Sequence, residues 1–444
     1  MPRKRKKRYL AILILFALPV LASGQNQDPS KLNTADSLSL PQVLRQVLSS
    51  YPSVLKAEEA IQSAEAAVGL ARSAYYPNIS GEATYTRLGP VSKLSIPNLG
   101  VFQIYPENNY DMEIDVRQTI YDFEKTKRSV KLEESGKTIA EKNIELVKQK
   151  LTLITAVSYY NLVYLQEALK IKNIQIDNLN EHLTFVTRKN ETGSATQYEI
   201  LTTQVRISGA ENQKVDILTS IKSQQAILNS LLGFPSGTDI MVKKNLDITG
   251  SSVNTDSLIH FALEHRYEMI VAGIKEEHAL LHLRSVKAQD NPDLSAFFAG
   301  GWKNGFIPDL NKLTANYAAG VGLHVPIFDG TRRKNYIRLA NAEINSTKQE
   351  TDQARRDIAS EVYQNDANLQ ASLQKIKLGD LQVNQAEEAL ELAKVSYTSG
   401  VITNLDLLDA ETSAAESKLN LLKARTDFSI NLVRLNISIG KPVN

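Results

Sequence analysis

Two aspartates three residues apart, Asp406 and Asp409, are the side chains of this 444-residue chain best placed to do chemistry. On a helix that spacing sets both carboxylates on one face, where they attract cations and repel one another. Two exposed aspartates near a helix N-terminus, favoured by the helix dipole, leave the same pattern. His278 and His282 stand at i and i+4, a spacing able to bind a metal, on a stretch read as one helix with His260 and His265. No acidic ligand set accompanies them and no His-Glu-x-x-His occurs, so they read as solvent-facing histidines, with no metal and no cofactor implied. Phosphate loops, a nucleophile elbow and paired catalytic acids are all missing, and the chain reads as no enzyme. The chain has no cysteine, which excludes disulfides and thiol chemistry.

The elements that position these residues occur twice. A shift of 207 takes Tyr110 to Tyr317, Asp122 to Asp329, Gly193 to Gly400, Leu201 to Leu408 and Gly233 to Gly440 without a gap. The same shift pairs Glu199 with Asp406 and Thr202 with Asp409, so the acidic pair is incomplete in the first copy. Duplication that keeps length more strictly than identity suggests elements spanning a fixed distance. Each copy reads helix, β-hairpin, very long helix, tight turn, helix. The long helices, Lys125 to Asn190 and Arg332 to Tyr397, are 66 residues each, about 100 Å at 1.5 Å per residue. Apolar residues run along the first at heptad-like spacing: Ile144, Val147, Leu151, Ile154, then Leu162, Leu165, Leu169, Ile176, Leu179, Leu183 and Val186. The eleven-residue step from Leu151 to Leu162 is a stutter that locally unwinds a supercoil. Gly193 and Gly400 end these helices, as backbone sterics favour, and make two tip turns. The preceding helices read as Pro41 to Ala74 and Thr255 to Ala288, here at a shift of 215, so the first hairpin loop is eight residues longer than the second.

The hairpin strands alternate: Tyr110, Met112, Ile114 and Val116 interleave with Asp111, Glu113, Asp115 and Arg117. Roughly ten-residue strands with one apolar and one polar face suit a transmembrane barrel with a wet lumen; a soluble sheet with one solvated face fits equally. Trp302, Phe297 and Phe298 are candidates for an interfacial aromatic girdle or for core. Four strands cannot close a barrel, so a membrane reading requires two or three copies. At the N-terminus six basic residues within 3–8 precede the apolar run Tyr9 to Leu21 and small residues at 22–24, the plan of a cleaved signal peptide. Without residues 1–24 the chain has 45 basic against 49 acidic residues, and no use for nucleic acid follows. The expected organisation is signal peptide 1–24, first repeat 25–233, linker 234–255, second repeat 256–440 and tail 441–444.

Several segments resemble the outer-membrane efflux protein (TolC) family, the likeness running from about Leu38 to Gly440. They are Ser73-Ala74-Tyr75-Tyr76-Pro77-Asn78-Ile79-Ser80, Val325-Pro326-Ile327-Phe328-Asp329-Gly330 and, most specific, Tyr397-Thr398-Ser399-Gly400-Val401-Ile402-Thr403-Asn404-Leu405-Asp406-Leu407-Leu408-Asp409-Ala410. The resemblance implies a mostly α fold with a membrane β-barrel: a homotrimer whose four strands per protomer close as 12, above a long α-helical barrel. It implies an outer-membrane channel-tunnel of a Gram-negative bacterium reaching into the periplasm. Such a channel is the exit duct of a tripartite efflux pump or type I secretion system, served by a periplasmic adaptor and an inner-membrane transporter. By the same resemblance Asp406 and Asp409 form acidic rings at the periplasmic constriction, six carboxylates in a trimer. Glu199 and Tyr397 make tip contacts that hold the closed state, and the turns at Gly193 and Gly400 are where an adaptor docks. The family's basic partner two residues after the second tip glycine is Ile402 here, so its ionic latch is not expected in the same form; Arg188 and Lys189 are candidate substitutes. The alternative is a non-conducting exported helical structural or adhesion protein.

Overall fold

The structure is a computed structural model that describes residues 37–97, 100–246 and 254–443. The expected signal peptide lies outside the described residues, as does part of the linker. Fourteen elements run α1 (Leu40–Ser50), α2 (Pro52–Ser73), β1 (Asn78–Arg87), β2 (Lys93–Ile96), β3 (Gly100–Gln103), β4 (Asn108–Tyr121), α3 (Lys125–Glu191) and α4 (Gln197–Leu232). The second half runs α5 (Thr255–His265), α6 (Tyr267–Ala288), β5 (Asp293–Lys303), β6 (Thr314–His324), α7 (Arg332–Thr398) and α8 (Asn404–Ser438). Both long helices have 67 residues, about 100 Å each. Each opens after a non-glycine residue in the left-handed region, Glu124 and Thr331, with Asp122 and Asp329 accepting from the first-turn amides of Thr126 and Arg333.

The stretches read as single helices before each hairpin are both broken. Pro52 disfavours helical backbone at the residue before it, and Tyr51 is extended at φ −72°, ψ 133°. The matching break at Arg266, φ −69° and ψ 136°, has no proline. Its guanidinium is instead buried against Glu268 and Glu361 and reaches the carbonyl of Ser438. The break divides the four histidines, with His260 and His265 on α5 and His278 and His282 on α6. Neither of the latter pair is fully exposed: His278 is half-buried with Nδ1 unpartnered, and His282 meets Glu343 at 2.7 Å. Among the described residues no group of three or more His, Cys, Asp or Glu side chains could hold a metal.

The four main strands form one antiparallel sheet in the order β1-β4-β5-β6, and β2-β3 form a separate hairpin within the longer first loop. Register places Ile79, Ala83 and Tyr85 beside Val116, Met112 and Tyr110, and these beside Phe298, Trp302 and the β6 residues Ala319 and Ala315. The opposite face carries Ser80, Glu82 and Thr84 against Asp115, Glu113 and Asp111. Alternation therefore survives as one apolar face and an opposite face that is charged on β1 and β4 and lined mainly by small residues on β5 and β6. Phe298 and Trp302 share the apolar face while Phe297 takes the other, and all three are exposed rather than core in the protomer. Gly301 lies so close to β4 that a Cβ would meet the Met112 carbonyl oxygen at 1.8 Å, so the strands admit no side chain there.

The largest core sits where α1 packs on α3 and α4. There the chain after α4 pairs with the segment before α1 through Leu38 N–H to Met241 O and Lys243 N–H to Leu38 O, both 2.8 Å. The buried Tyr159 hydroxyl donates toward the carbonyls of Leu38 and Lys243. Of the heptad-like residues on α3, Ile144, Leu151, Leu162, Ile176, Leu179 and Val186 are buried, but Ile154 is exposed. Across the stutter the buried face passes instead to Thr155, Ala156, Ser158 and Tyr159. Among the described residues no helix is long and apolar enough to cross a membrane.

Candidate functional site at the helical tip

Both tips close by the same local chemistry. Gly193 and Gly400 are left-handed, each at φ +75°. Ser194 N–H donates to Lys189 O and Gly193 N–H to Asn190 O; Val401 N–H to Ser396 O and Gly400 N–H to Tyr397 O repeat the pattern. This pair of hydrogen bonds satisfies carbonyls in the last turn of each long helix. The next helix starts with a reciprocal cap in both cases. Thr196 Oγ1 accepts from Glu199 N–H while Glu199 Oε1 accepts from Thr196 N–H. Thr403 Oγ1 accepts from Asp406 N–H, and Asp406 Oδ2 accepts from Thr403 N–H at 2.9 Å and its hydroxyl at 2.7 Å. Those bonds to the Thr403 side chain and backbone hold the Asp406 carboxyl below its ordinary range. Asp406 is therefore an ionised capping residue within the protomer, and Asp409 makes a different bond, to the guanidinium of Arg206 on α4.

Glu199 and Tyr397 are brought together. The Tyr397 hydroxyl donates to Glu199 Oε2 at 2.7 Å. Burial first, then the neighbouring carboxylate, pushes the Tyr397 hydroxyl well above its usual value. Burial pushes Glu199 upward, yet the bonds from Tyr397 and Thr196 leave it below the ordinary value overall. Lys189 stands over the Tyr397 ring at 4.7 Å, and its charge also helps lower the Glu199 carboxyl. Ile402 packs against the apolar cluster of Val186, Leu390, Tyr397 and Leu407.

Three further side chains complete the tip. His182 Nε2 meets Asn404 Oδ1 at 2.6 Å, and Asn404 Nδ2 donates toward Glu199 O, Thr202 Oγ1 and Thr203 Oγ1, bridging α3, α4 and α8. Burial lowers the His182 pKa, so the ring is neutral near pH 7. Glu411 is buried between α3, α7 and α8 with Oε2 unpartnered, and burial raises its pKa to about 7. His182 and Glu411 fall on the apolar stripes Ile176-Leu179-Val186 and Leu407-Ala414, and a polar residue in a stripe position was the available signal for both. Nothing local marks Arg206 as a partner for Asp409.

A family model described as "Outer membrane efflux protein" matches residues 43–234 and 258–441. Outer membrane protein TolC of Salmonella enteritidis is 21% identical, covering 96% of this chain and 89% of its own length. Alkaline protease secretion protein AprF of Pseudomonas aeruginosa is 22% identical, over 75% of this chain and 70% of that one. The crystal structure of the Campylobacter jejuni CmeC outer membrane channel superposes with a TM-score of 0.76 at 15% identity, covering 90% of this chain and 85% of that one. The open state of the Neisseria gonorrhoeae MtrE outer membrane channel gives 0.74 at 18%, covering 90% and 89%.

Proposed function

Because this chain belongs to the outer membrane efflux protein family, we propose that it is the outer-membrane exit duct of an efflux pump or type I secretion system, assembled from three copies and gated at its helical tip. The observation that carries the reading is the sheet β1-β4-β5-β6, with one apolar face, an opposite face charged on β1 and β4, and two edges unpaired among the described residues. Open edges are not viable in lipid, whereas three four-stranded sheets joined edge to edge give a closed barrel with the charged face toward water. The two helices of about 100 Å carry the wall of the duct into the periplasm. At the far end Asp406 and Asp409 would stand around the threefold axis, six carboxylates that draw cations and oppose one another. Glu199 and Tyr397 tie the two tip hairpins of each protomer together in the closed state. The exposed turns at Gly193 and Gly400 offer a docking site for a periplasmic adaptor, and an inner-membrane transporter supplies the energy. The expected organisation, signal peptide 1–24, repeats 25–233 and 256–440 around linker 234–255, and tail 441–444, belongs to this proposal.

Membrane fractionation tests it. Outer-membrane protein running as a trimer that dissociates on heating is the expected result. A soluble or peripherally bound protein would favour a non-conducting helical strut or adhesin.

A further inference from the structure

α4 packs chiefly on α3 and touches α8 only sparsely. Where they meet, Leu408 is fully buried against Ile176, Leu179 and Ala210, with Ile207 beside them. Over this patch lies the Arg206–Asp409 pair, the one ion pair among the described residues that joins α4 to α8. The other polar ties between the tips, Tyr397 to Glu199 and Asn404 to His182, Thr202, Thr203 and the carbonyl of Glu199, each involve a buried side chain, Tyr397 or Asn404. The Arg206–Asp409 pair differs: the two side chains keep 39% and 59% of their exposure, so ions in solution reach it. An exposed ion pair is weak and screened by salt, and a mobile cation competes for the same carboxylate. Position 413, which the repeat matches to Arg206, is Ser413, so the second tip helix supplies no such cation of its own.

We propose that Arg206 is the built-in counterion of the constriction. Its guanidinium occupies the Asp409 carboxylate of its own protomer, so a divalent cation entering the tip must displace it, and displacement releases α8 from α4. Of six carboxylates in a trimer, the three Asp409 are then partly neutralised and the three Asp406, bonded only to Thr403, carry the uncompensated charge. Arg206 thus tunes how strongly the tip holds cations and couples cation occupancy to loosening of the hairpins. The inference rests on the reading of Asp409 as part of a constriction.

The test is conductance of the purified trimer in planar bilayers, with Mg2+ alone added on the tip side, for the parent, Arg206→Gln, Arg206→Lys and Arg206→Gln/Asp409→Asn. Loss of an exposed pair predicts that the half-blocking Mg2+ concentration falls on the order of three- to fivefold in Arg206→Gln. Arg206→Lys should keep the parent's value, and the double variant should lose the added sensitivity. Hydrogen exchange should show Mg2+ speeding exchange in the first turns of α8 in the parent and having no further effect in Arg206→Gln. A conducting Arg206→Gln blocked at the parent's concentration, or a tightened block that persists without Asp409, would overturn the counterion role while leaving the duct intact. Exchange in α8 indifferent to Mg2+ in the parent would overturn the coupling. A parent that never conducts would instead remove the duct reading, and the inference with it.

Discussion

The two tip helices begin alike and end in different surroundings. α4 and α8 share the capping threonine, the acid three residues on and the glycine turn before them, yet other corresponding side chains part company from the first helical residue onward. Asn404 is buried on His182 where its counterpart Gln197 is exposed. Glu411 is buried where Gln204 is exposed, and Arg206 bonds Asp409 where Ser413 is exposed. α8 packs against both α7 and α3, whereas α4 has α3 as its main neighbour. The lesson is that the acid at the third helical position caps its helix in both repeats, and only Glu199 adds a cross-repeat bond, from Tyr397. What makes the second tip special is the extra helix packed over it, which converts polar side chains into cross-repeat ties.

The helix breaks before each hairpin sharpen the same contrast and predict the largest effect. Arg266→Ala removes a buried cation from two half-exposed carboxylates, Glu268 and Glu361, and should cost about 3 kcal/mol through the lost charge-assisted bonds. Pro52→Ala at the matching break should cost below about 1 kcal/mol, through unfolded-state entropy. Chemical denaturation of the two variants checks the ratio, and equal losses would mean the two breaks are held alike.

Glu411 comes next. Its folded pKa of about 7 lies above the unfolded value near 4.5, so the native state binds the proton more tightly. No stability is lost below about pH 4.5, stability falls as pH rises from there to 7, and the penalty is constant above. Glu411→Gln should therefore gain about 3 kcal/mol above pH 7 and nothing at pH 4. Gln204→Glu, at the exposed counterpart, should leave the pH profile unchanged. Stability measured across pH 4 to 8 decides it.

Much of this was legible in the chain. Strict length conservation between Gly193 and Gly400 and their flanks located the tips, and alternation in β4 gave the two faces of the sheet. Pro52 offered a visible reason for a break at Tyr51, although the helix there reads as continuous. The break at Arg266 was not legible, because beside its near neighbour Glu268 the guanidinium is held by Glu361 on α7, which meets it only in the fold. The same holds at the tip: the Tyr397–Glu199 contact followed from resemblance, but Arg206 is 203 residues from Asp409 and no local spacing announces it.

Two smaller effects test the tip comparison directly. Tyr397→Phe removes a bond to a charged group and should cost about 1.5 kcal/mol, with faster exchange at the start of α4. Thr196→Ala and Thr403→Ala each remove a cap and should each cost about 1 kcal/mol. Unequal losses in thermal unfolding would show that the two caps are not the equivalent local devices described here.

The central claim, a duct closed by an acidic constriction at one tip, is tested most directly by single-channel conductance of the mature protein beside Asp406→Ala/Asp409→Ala. The account predicts a small, cation-selective conductance in the parent and loss of that selectivity and of divalent block in the variant. A parent that inserts and conducts with selectivity identical to the variant's would contradict the constriction, and a folded parent that never inserts would contradict the duct.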